Sequence, residues 1–174
     1  MTFIELYNTY NKQVFNTALH YVQNIEDAEE ITQDVFVSIH KSLESFQENA
    51  KYSTWIHRIT INKSLDYIKA KKAKKRFAFI TSLFHKDEIT IKYDPINSNH
   101  PGIIIEQKEA TDRIFKYINQ LSDNQKTVII LSKIEGKNQK EIAEIMNLTV
   151  KAVESLLQRA KNNLQINLNK DEGI

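Results

Sequence analysis

QKEIAEIMNLTVKAVESLLQRAK, which spans residues 139–161, is the stretch that decides the fold of the C-terminal part of this chain. Ala143 stands where a second helix must cross closely. Asn147 follows at the turn, where the backbone needs a positive φ that Asn tolerates better than most residues with a Cβ. Val153 and Leu157 then share one face of the next helix and are expected to pack on the first. The spacing predicts a helix-turn-helix whose second helix presents its free face to a DNA major groove; an ordinary helical hairpin is the alternative.

The composition favours an all-α protein. With 174 residues, of which 41% are hydrophobic, the chain can form one ordinary domain or two small ones. It has only three Gly and two Pro, and its apolar residues recur at helical spacing. It has no Cys, which excludes disulfides and thiolate metal sites. We find no signal peptide and no apolar stretch near the roughly 20 residues that span a bilayer. The expected location is therefore cytoplasmic, without direct membrane insertion.

Acidic and basic residues are separated along the first half of the chain. Residues 26–48 hold seven acidic residues and one basic residue, whereas residues 51–76 hold nine basic residues and one acidic residue. This order suggests two different partners. Two differently solvated helices are the alternative interpretation.

Three helices are predicted in residues 1–76, and they could form one compact bundle. Asn24 and Asp27 are expected to form the cap of the second helix. The third helix begins near Ser53 and ends in the basic run 69–76. The apolar stripe of the first helix is Phe3, Tyr7, Tyr10, Val14 and Ala18, and that of the second is Ile31, Val35, Ile39, Leu43 and Phe46.

Residues 77–102 contain both prolines and are predicted to be a flexible linker, with some local helix or extended structure around 77–84 and 89–93. A second helical domain, 103–174, follows. Its second helix is expected to begin with a capping box of Ser122 and Gln125 and to end at Gly136. The apolar stripe of its first helix is Ala110, Ile114, Ile118 and Leu121, and that of the second is Val128, Leu131 and Ile134. Asn138 and Glu141 are expected to form the capping box of the helix-turn-helix.

We find no constellation that predicts catalysis, a cofactor or a metal site. The few glycines are isolated, so there is no glycine-rich phosphate loop. The five histidines, at positions 20, 40, 57, 85 and 100, lack the spacing of metal ligands. The chain is therefore predicted not to be an enzyme.

The third helix carries chemistry suited to single-stranded DNA. Arg58, Asn62, Asp66 and Lys69 follow one another at spacing that places them on one face. Cations can follow phosphates, while aromatic and amide groups hold unstacked bases. Trp55 could contribute to such a site, or it could be only a core residue beside an apolar stripe.

Several short motifs occur in a characteristic order. They are DAEE (27–30), QDVF (33–36), YSTWIHRI (52–59) with Asn62, LDY (65–67), QKEIA (139–143), VES (153–155) and RAK (159–161). In this order and separation the chain resembles bacterial RNA polymerase sigma factors of the extracytoplasmic-function (ECF) subfamily of the sigma-70 family. The resemblance covers about residues 3–76 and 103–166.

The resemblance implies two small helical domains and a role in promoter recognition. It implies binding to RNA polymerase core through the clamp of the largest subunit and the flap, recognition of promoter DNA, and inhibition by an anti-sigma factor. The implied core-binding residues are Asp27, Glu30, Gln33, Asp34 and Phe36. The implied −10 residues are Phe46, Lys51, Tyr52, Trp55, Arg58, Asn62, Lys63, Asp66 and Lys69. The implied −35 residues are Lys151, Glu154, Ser155, Gln158, Arg159 and Lys161.

The chain departs from the family pattern at three positions. Glu154 and Leu156 stand where family members often carry basic residues, and Asn147 stands where they usually carry Gly. Glu154 could accept a hydrogen bond from a cytosine N4 amino group, or it could pair with Lys151 one turn earlier. Both interpretations make phosphate contacts a smaller part of binding in this domain.

Two rival functions remain at this stage. A conventional transcriptional regulator would be a symmetric dimer that binds duplex DNA without polymerase. A helical interaction protein would show no dependence on DNA, and its basic run 69–76 would be only a solvated helix end.

Overall fold

A computed structural model describes residues 1–46, 50–84 and 105–172, with the side chains of 78–84, 105–110 and 171–172 left out of the description. These ranges are helical, which confirms the all-α prediction. The helices are α1 (Phe3–Val22), α2 (Ile25–Ser42), α3 (Tyr52–Phe84), α4 (Ile105–Ile118), α5 (Asp123–Ile129), a π-helical segment (Ile130–Ile134), α6 (Gln139–Met146) and α7 (Val150–Glu172).

The chain divides into two compact units, Met1–Ser98 and Asn99–Ile174, as the two-domain architecture predicts. The sequence boundaries 1–76, 77–102 and 103–174 stay a prediction. The first residues of the predicted linker, as far as Phe84, belong to α3, and residues 85–102 lie outside the described part of the chain. No helix in the described ranges has the length and apolar character needed to cross a bilayer.

The first unit packs α1, α2 and α3 against one another around an aliphatic core. Leu6, Val14, Ile31, Val35 and Ile56 are buried in it. The predicted face of α1 was partly wrong, since Leu6 and Tyr21 are buried whereas Tyr7 is 46% exposed. Because α1 contacts two neighbouring helices, its buried face is wider than a single stripe and is rotated from the predicted one.

Helix α3 continues eight residues past the predicted end at Arg76, because no Gly or Pro interrupts residues 52–84. Its buried side includes polar side chains. The hydroxyls of Thr60 and Ser64 each donate to the backbone carbonyl four residues earlier, at 2.8 Å. His57 is buried, and its Nδ1 lies 2.8 Å from Gln13 Nε2 of α1. Hydrogen bonds within the chain thus compensate for burying these groups.

The helix-turn-helix of the second unit has the predicted local structure. Asn138 and Glu141 form a reciprocal capping box at the start of α6. Asn147 ends α6 in the left-handed region, with φ of 54°, and Ala143 is buried where α7 approaches. Gly136 has φ of 67° just beyond the π-helical segment, as expected for a residue that terminates a helix.

Three predictions in the second unit were wrong. Ser122 precedes α5, but its side chain makes no capping hydrogen bond. The side chain of Gln125 does not complete the box either, because its Oε1 accepts a hydrogen bond from Asn163 of α7. Ile114 is 57% exposed, since α4 turns its neighbouring apolar residues inward. Ile134 is also exposed, because the π-helical segment changes the angular step per residue and rotates it out of the core.

Candidate functional site

Three aromatic rings meet where the segment after α2 approaches the start of α3. The Phe46 ring centroid lies 4.5 Å from that of Trp55 and 4.8 Å from that of Tyr52, with interplanar angles of 31° and 37°. All three side chains are half-buried. Trp55 therefore packs on the core and also keeps part of its ring at the surface. A surface of this kind can stack an unpaired base.

The polar residues predicted on α3 lie along one continuous helix. Asn62, Asp66 and Lys69 are exposed and Arg58 is half-buried, so the structure brings these four together on one outward face. Lys51 is exposed, and its carbonyl accepts the backbone N–H of Trp55 at 3.1 Å, which places it at the helix start.

Lys63, also predicted in this set, is half-buried and lies away from the face of Arg58 and Asn62. Lys63 follows Arg58 by five residues. At about 100° per residue, its side chain leaves the helix about 140° away from the direction of the Arg58 side chain. The face of Arg58 thus carries one amide, one carboxylate and two cations.

The acidic helix α2 presents only part of its predicted set to solvent. Glu30, Gln33 and Asp34 are exposed. Phe36, in contrast, is only 5% exposed, and its ring centroid lies 4.8 Å from that of Tyr7 and 6.3 Å from that of Phe3. Phe36 therefore belongs mainly to the core of the first unit. Only an edge of it reaches an open groove of about 550 Å³ between α1 and α2.

Asp27 is held by α3 and is not a free carboxylate. Tyr67 Oη donates to Asp27 Oδ1 at 2.7 Å, and Lys71 Nζ donates to Asp27 Oδ2 at 2.5 Å. Asn24 caps α2 as predicted, since its Oδ1 accepts a hydrogen bond from the backbone N–H of Asp27 at 2.8 Å. The carboxylate of Asp27, expected to complete the cap, points instead to α3. We call Asp27, Tyr67 and Lys71 the α2–α3 tie.

The tie is partly shielded from water. The Asp27 side chain is 15% exposed and that of Lys71 is 49% exposed. Burial, and next the hydrogen bond from Tyr67 to Asp27, raise the pKa of the Tyr67 phenol, so Tyr67 stays a hydrogen-bond donor. Tyr67 Oη also lies 3.3 Å from Glu30 Oε2. Tyr67 and Lys71 were not among the predicted site residues, although their spacing of four residues places them on one face of α3.

In the second unit, the predicted DNA-contacting residues of α7 share one exposed face. They are Lys151, Glu154, Ser155, Gln158, Arg159 and Lys161. Val153 and Ala160, on the opposite side, are buried against the rest of the unit. Leu157, expected to be buried beside Val153, is only half-buried, and Ala160 takes the inward position one turn later.

Two short-range bonds order this exposed face. Arg159 Nε donates to the carbonyl of Ser155 at 3.3 Å, and Gln158 Nε2 donates to Asn162 Oδ1 at 3.1 Å. Both Lys151 and Glu154 are exposed, and within the described part of the chain no ion pair joins them. The carboxylate of Glu154 is thus open to an external donor.

Comparison with known proteins identifies the family. Sigma-70 region 2 matches residues 6–74, which lie within α1–α3, and Sigma-70 region 4 matches residues 111–164, which lie within α4–α7. The chain belongs to the sigma-70 family. ECF RNA polymerase sigma factor SigW of Bacillus subtilis is 27% identical over 165 residues, which cover 94% of this chain and 87% of SigW. The resemblance found in the motifs is thereby confirmed, and this protein is an ECF sigma factor.

Two solved structures share the fold of this sigma factor. CnrH in complex with the cytosolic domain of CnrY has a TM-score of 0.64 at 22% identity and covers 97% of this chain and 88% of CnrH. The sigma factor RpoE in complex with the anti-sigma factor NepR from Bartonella quintana has a TM-score of 0.63 at 20% identity and covers 96% of both chains.

Proposed function

We propose that this sigma factor binds RNA polymerase core through its first unit and directs it to promoters, reading the −10 element with α3 and the −35 element with α7. The observation that carries the proposal is the match of Sigma-70 regions 2 and 4, in that order, to two separate helical units. Each unit offers an exposed polar helix face suited to its part.

Core binding is assigned to the exposed acidic face of α2. Glu30, Gln33 and Asp34 offer two carboxylates and an amide to a basic helical partner, which favours fast and correctly oriented association. Two further residues of the predicted set hold α2 in position and are not part of this exposed face. Phe36 packs in the core, and Asp27 joins α2 to α3. We expect substitutions at these two residues to act through the position of α2.

Recognition of the −10 element is assigned to the aromatic cluster and the outward face of α3. Flipping one base out of the duplex costs a few kcal/mol. Stacking a base on an aromatic ring returns about 1–3 kcal/mol, and the cations of α3 can hold the adjacent phosphates. Phe46, Tyr52 and Trp55 are close enough to act as one platform. Such a platform would stabilise an opened strand without nucleotide hydrolysis.

Recognition of the −35 element is assigned to α7 as a recognition helix in the major groove. The exposed carboxylate of Glu154 can accept a hydrogen bond from cytosine N4, which is a base-reading contact. Lys151 and Arg159 would contact phosphates or base edges beside it. Binding of both units to one polymerase makes the second DNA contact intramolecular, so two weak contacts act as one strong contact.

Regulation by an anti-sigma factor is part of the proposal. It is supported by a solved complex in which the sigma factor RpoE binds the anti-sigma factor NepR, since this chain shares the fold of RpoE. Sigma factors as a class are not enzymes, and we assign no reaction to this chain. Its place of action would be the cytoplasm, where RNA polymerase works.

Transcription in vitro with purified bacterial RNA polymerase core on a promoter library tests the proposal. We expect the protein to select a defined set of promoters with −10 and −35 elements. Asp34→Arg should abolish binding to core while the circular dichroism spectrum is unchanged, because it reverses one charge on an exposed face. A symmetric dimer that binds the same duplexes tightly without core, and gives core no start-site selectivity, would refute the assignment.

A further inference from the structure

The α2–α3 tie also reaches a carboxylate on the exposed acidic face of α2. Tyr67 Oη, which donates to Asp27 Oδ1 at 2.7 Å, lies 3.3 Å from Oε2 of Glu30. Glu30 follows Asp27 by three residues, so both side chains leave α2 on the side that α3 approaches. One phenol of α3 therefore contacts a carboxylate that is largely buried and another that is exposed.

The two carboxylates differ in what they can still bind. Both oxygens of Asp27 are used within the chain, Oδ1 by Tyr67 and Oδ2 by Lys71. Glu30 accepts through Oε2 alone, and no other side chain in the described ranges bonds to its carboxylate. Because an ionised carboxylate has about four acceptor sites, Glu30 keeps most of its capacity for an external donor. The contact with Tyr67 thus restrains Glu30 without using it up.

Tyr67 is held more firmly than Glu30. Its ring is partly buried against the core of the first unit, and Lys71 Nζ lies 5.8 Å from the ring centroid. A tyrosine has only two side-chain torsions to fix, and the bond to Asp27 directs the hydroxyl towards α2. The side chain of Glu30 is long and exposed, and a glutamate loses much rotamer freedom when it is fixed. In this contact the rigid group orients the mobile one.

We propose that Tyr67 is a positioning residue for core binding, which holds the Glu30 carboxylate in the orientation that a basic partner meets. The inference rests on the proposed function, in which the exposed acidic face of α2 binds RNA polymerase core. Fixing a long side chain at an interface lowers affinity, and a side chain that is already held in the free protein avoids part of that cost. In this role Tyr67 acts through Glu30.

The geometry sets the size of the effect. Tyr67 has one hydroxyl hydrogen, and its shorter contact is the one with Asp27, so Glu30 receives the weaker part of a shared bond. Ordering one flexible side chain in advance changes affinity by about 2- to 10-fold. Because the bond is shared, we expect Tyr67→Phe to weaken core binding by about 2- to 4-fold, the lower part of that range.

The test measures the dissociation constant of the full chain for purified RNA polymerase core, at a temperature where circular dichroism shows every variant folded. Tyr67→Phe should weaken binding, but should add no further loss in the Glu30→Ala background. The matched cycle uses Asp34→Ala, which removes another exposed carboxylate of α2, and there the loss from Tyr67→Phe should persist in full. A merely structural role, in which Tyr67 places α2 as a whole, would not single out Glu30.

Ile56→Val is the control for stability. Ile56 is fully buried in the core of the first unit, so losing one methyl group should destabilise that unit without removing any bond of the α2–α3 tie. Its core affinity should equal that of the wild type, because a modest loss of stability leaves nearly all molecules folded.

Unchanged core affinity in Tyr67→Phe or in Glu30→Ala would overturn the proposal. So would an equal loss from Tyr67→Phe with and without Glu30→Ala, because Tyr67 would then act through the position of α2. A loss in Ile56→Val as large as that in Tyr67→Phe would also overturn it, since it would indicate an effect of general stability. Failure of the wild-type chain to bind core is a separate result, seen without any variant, and would refute the proposed function itself.

Discussion

Tyr67→Phe should destabilise the first unit, although it removes a single oxygen atom. Tyr67 Oη donates to the carboxylate of Asp27 at 2.7 Å, and hydrogen bonds to charged groups contribute about 1.5–3 kcal/mol. The 15% exposure of Asp27 lets water replace part of the bond, so we expect the lower end, about 1.5 kcal/mol. Lys71→Met should cost less, roughly 0.2–1 kcal/mol, because half of the Lys71 side chain is exposed and its ion pair is screened.

Urea unfolding followed by Trp55 fluorescence measures this effect. Trp55 is the one tryptophan of the chain and lies in the first unit, so its signal does not include the second unit. With a slope of about 1–3 kcal/mol per molar urea, a loss of 1.5 kcal/mol lowers the midpoint by roughly 0.5–1.5 M.

Tyr7→Phe is the matched control for Tyr67→Phe, because Tyr7 is 46% exposed and its ring packs on Phe36, so losing the hydroxyl should cost under about 0.5 kcal/mol. A double-mutant cycle of Tyr67→Phe with Asp27→Asn should show coupling of about 1 kcal/mol. Additive effects of the two substitutions, or equal losses in Tyr67→Phe and Tyr7→Phe, would refute the α2–α3 tie as a stabilising contact.

Three further predictions concern pH, the turn and base recognition. Because the pKa of Tyr67 is raised above its usual 10.0, the folded state keeps the proton longer, so stability should fall as pH rises above 10, and less steeply in Tyr67→Phe when urea midpoints are compared. Asn147→Val should lower the melting temperature and Asn147→Gly should not, because a β-branched residue is strained at φ of 54°. Glu154→Ala should relax the preference for one base pair of the −35 element in a library selection, whereas an unaltered consensus would exclude base contact by Glu154.

Local features of the fold could be predicted wherever a few neighbouring residues determine the structure. The capping box of Asn138 and Glu141 and the left-handed turn at Asn147 depend on side chains within four residues of the backbone groups that they serve. The spacing of Arg58, Asn62, Asp66 and Lys69 placed them correctly on one face, because the helix is regular there.

Predictions failed where a distant partner competes for a side chain. Gln125 bonds to Asn163 of α7 and does not cap α5, and Asp27 bonds to Tyr67 and Lys71, which follow it by 40 and 44 residues. Phe36 was expected at the surface because of its neighbours in a motif, but the position of α1 places it in the core.

Sequence alone determined the helices, their caps, the charge of each face and, through its motifs, the family, because these depend on residue type and short-range spacing. Only the tertiary structure decided which charged groups remain available to partners. The carboxylates of Asp27 and Asp34 lie on one helix, yet Asp27 is bonded to α3 and Asp34 is exposed. This difference depends on how helices distant in sequence pack, since a carboxylate bonded within the protein is no longer free to bind a partner.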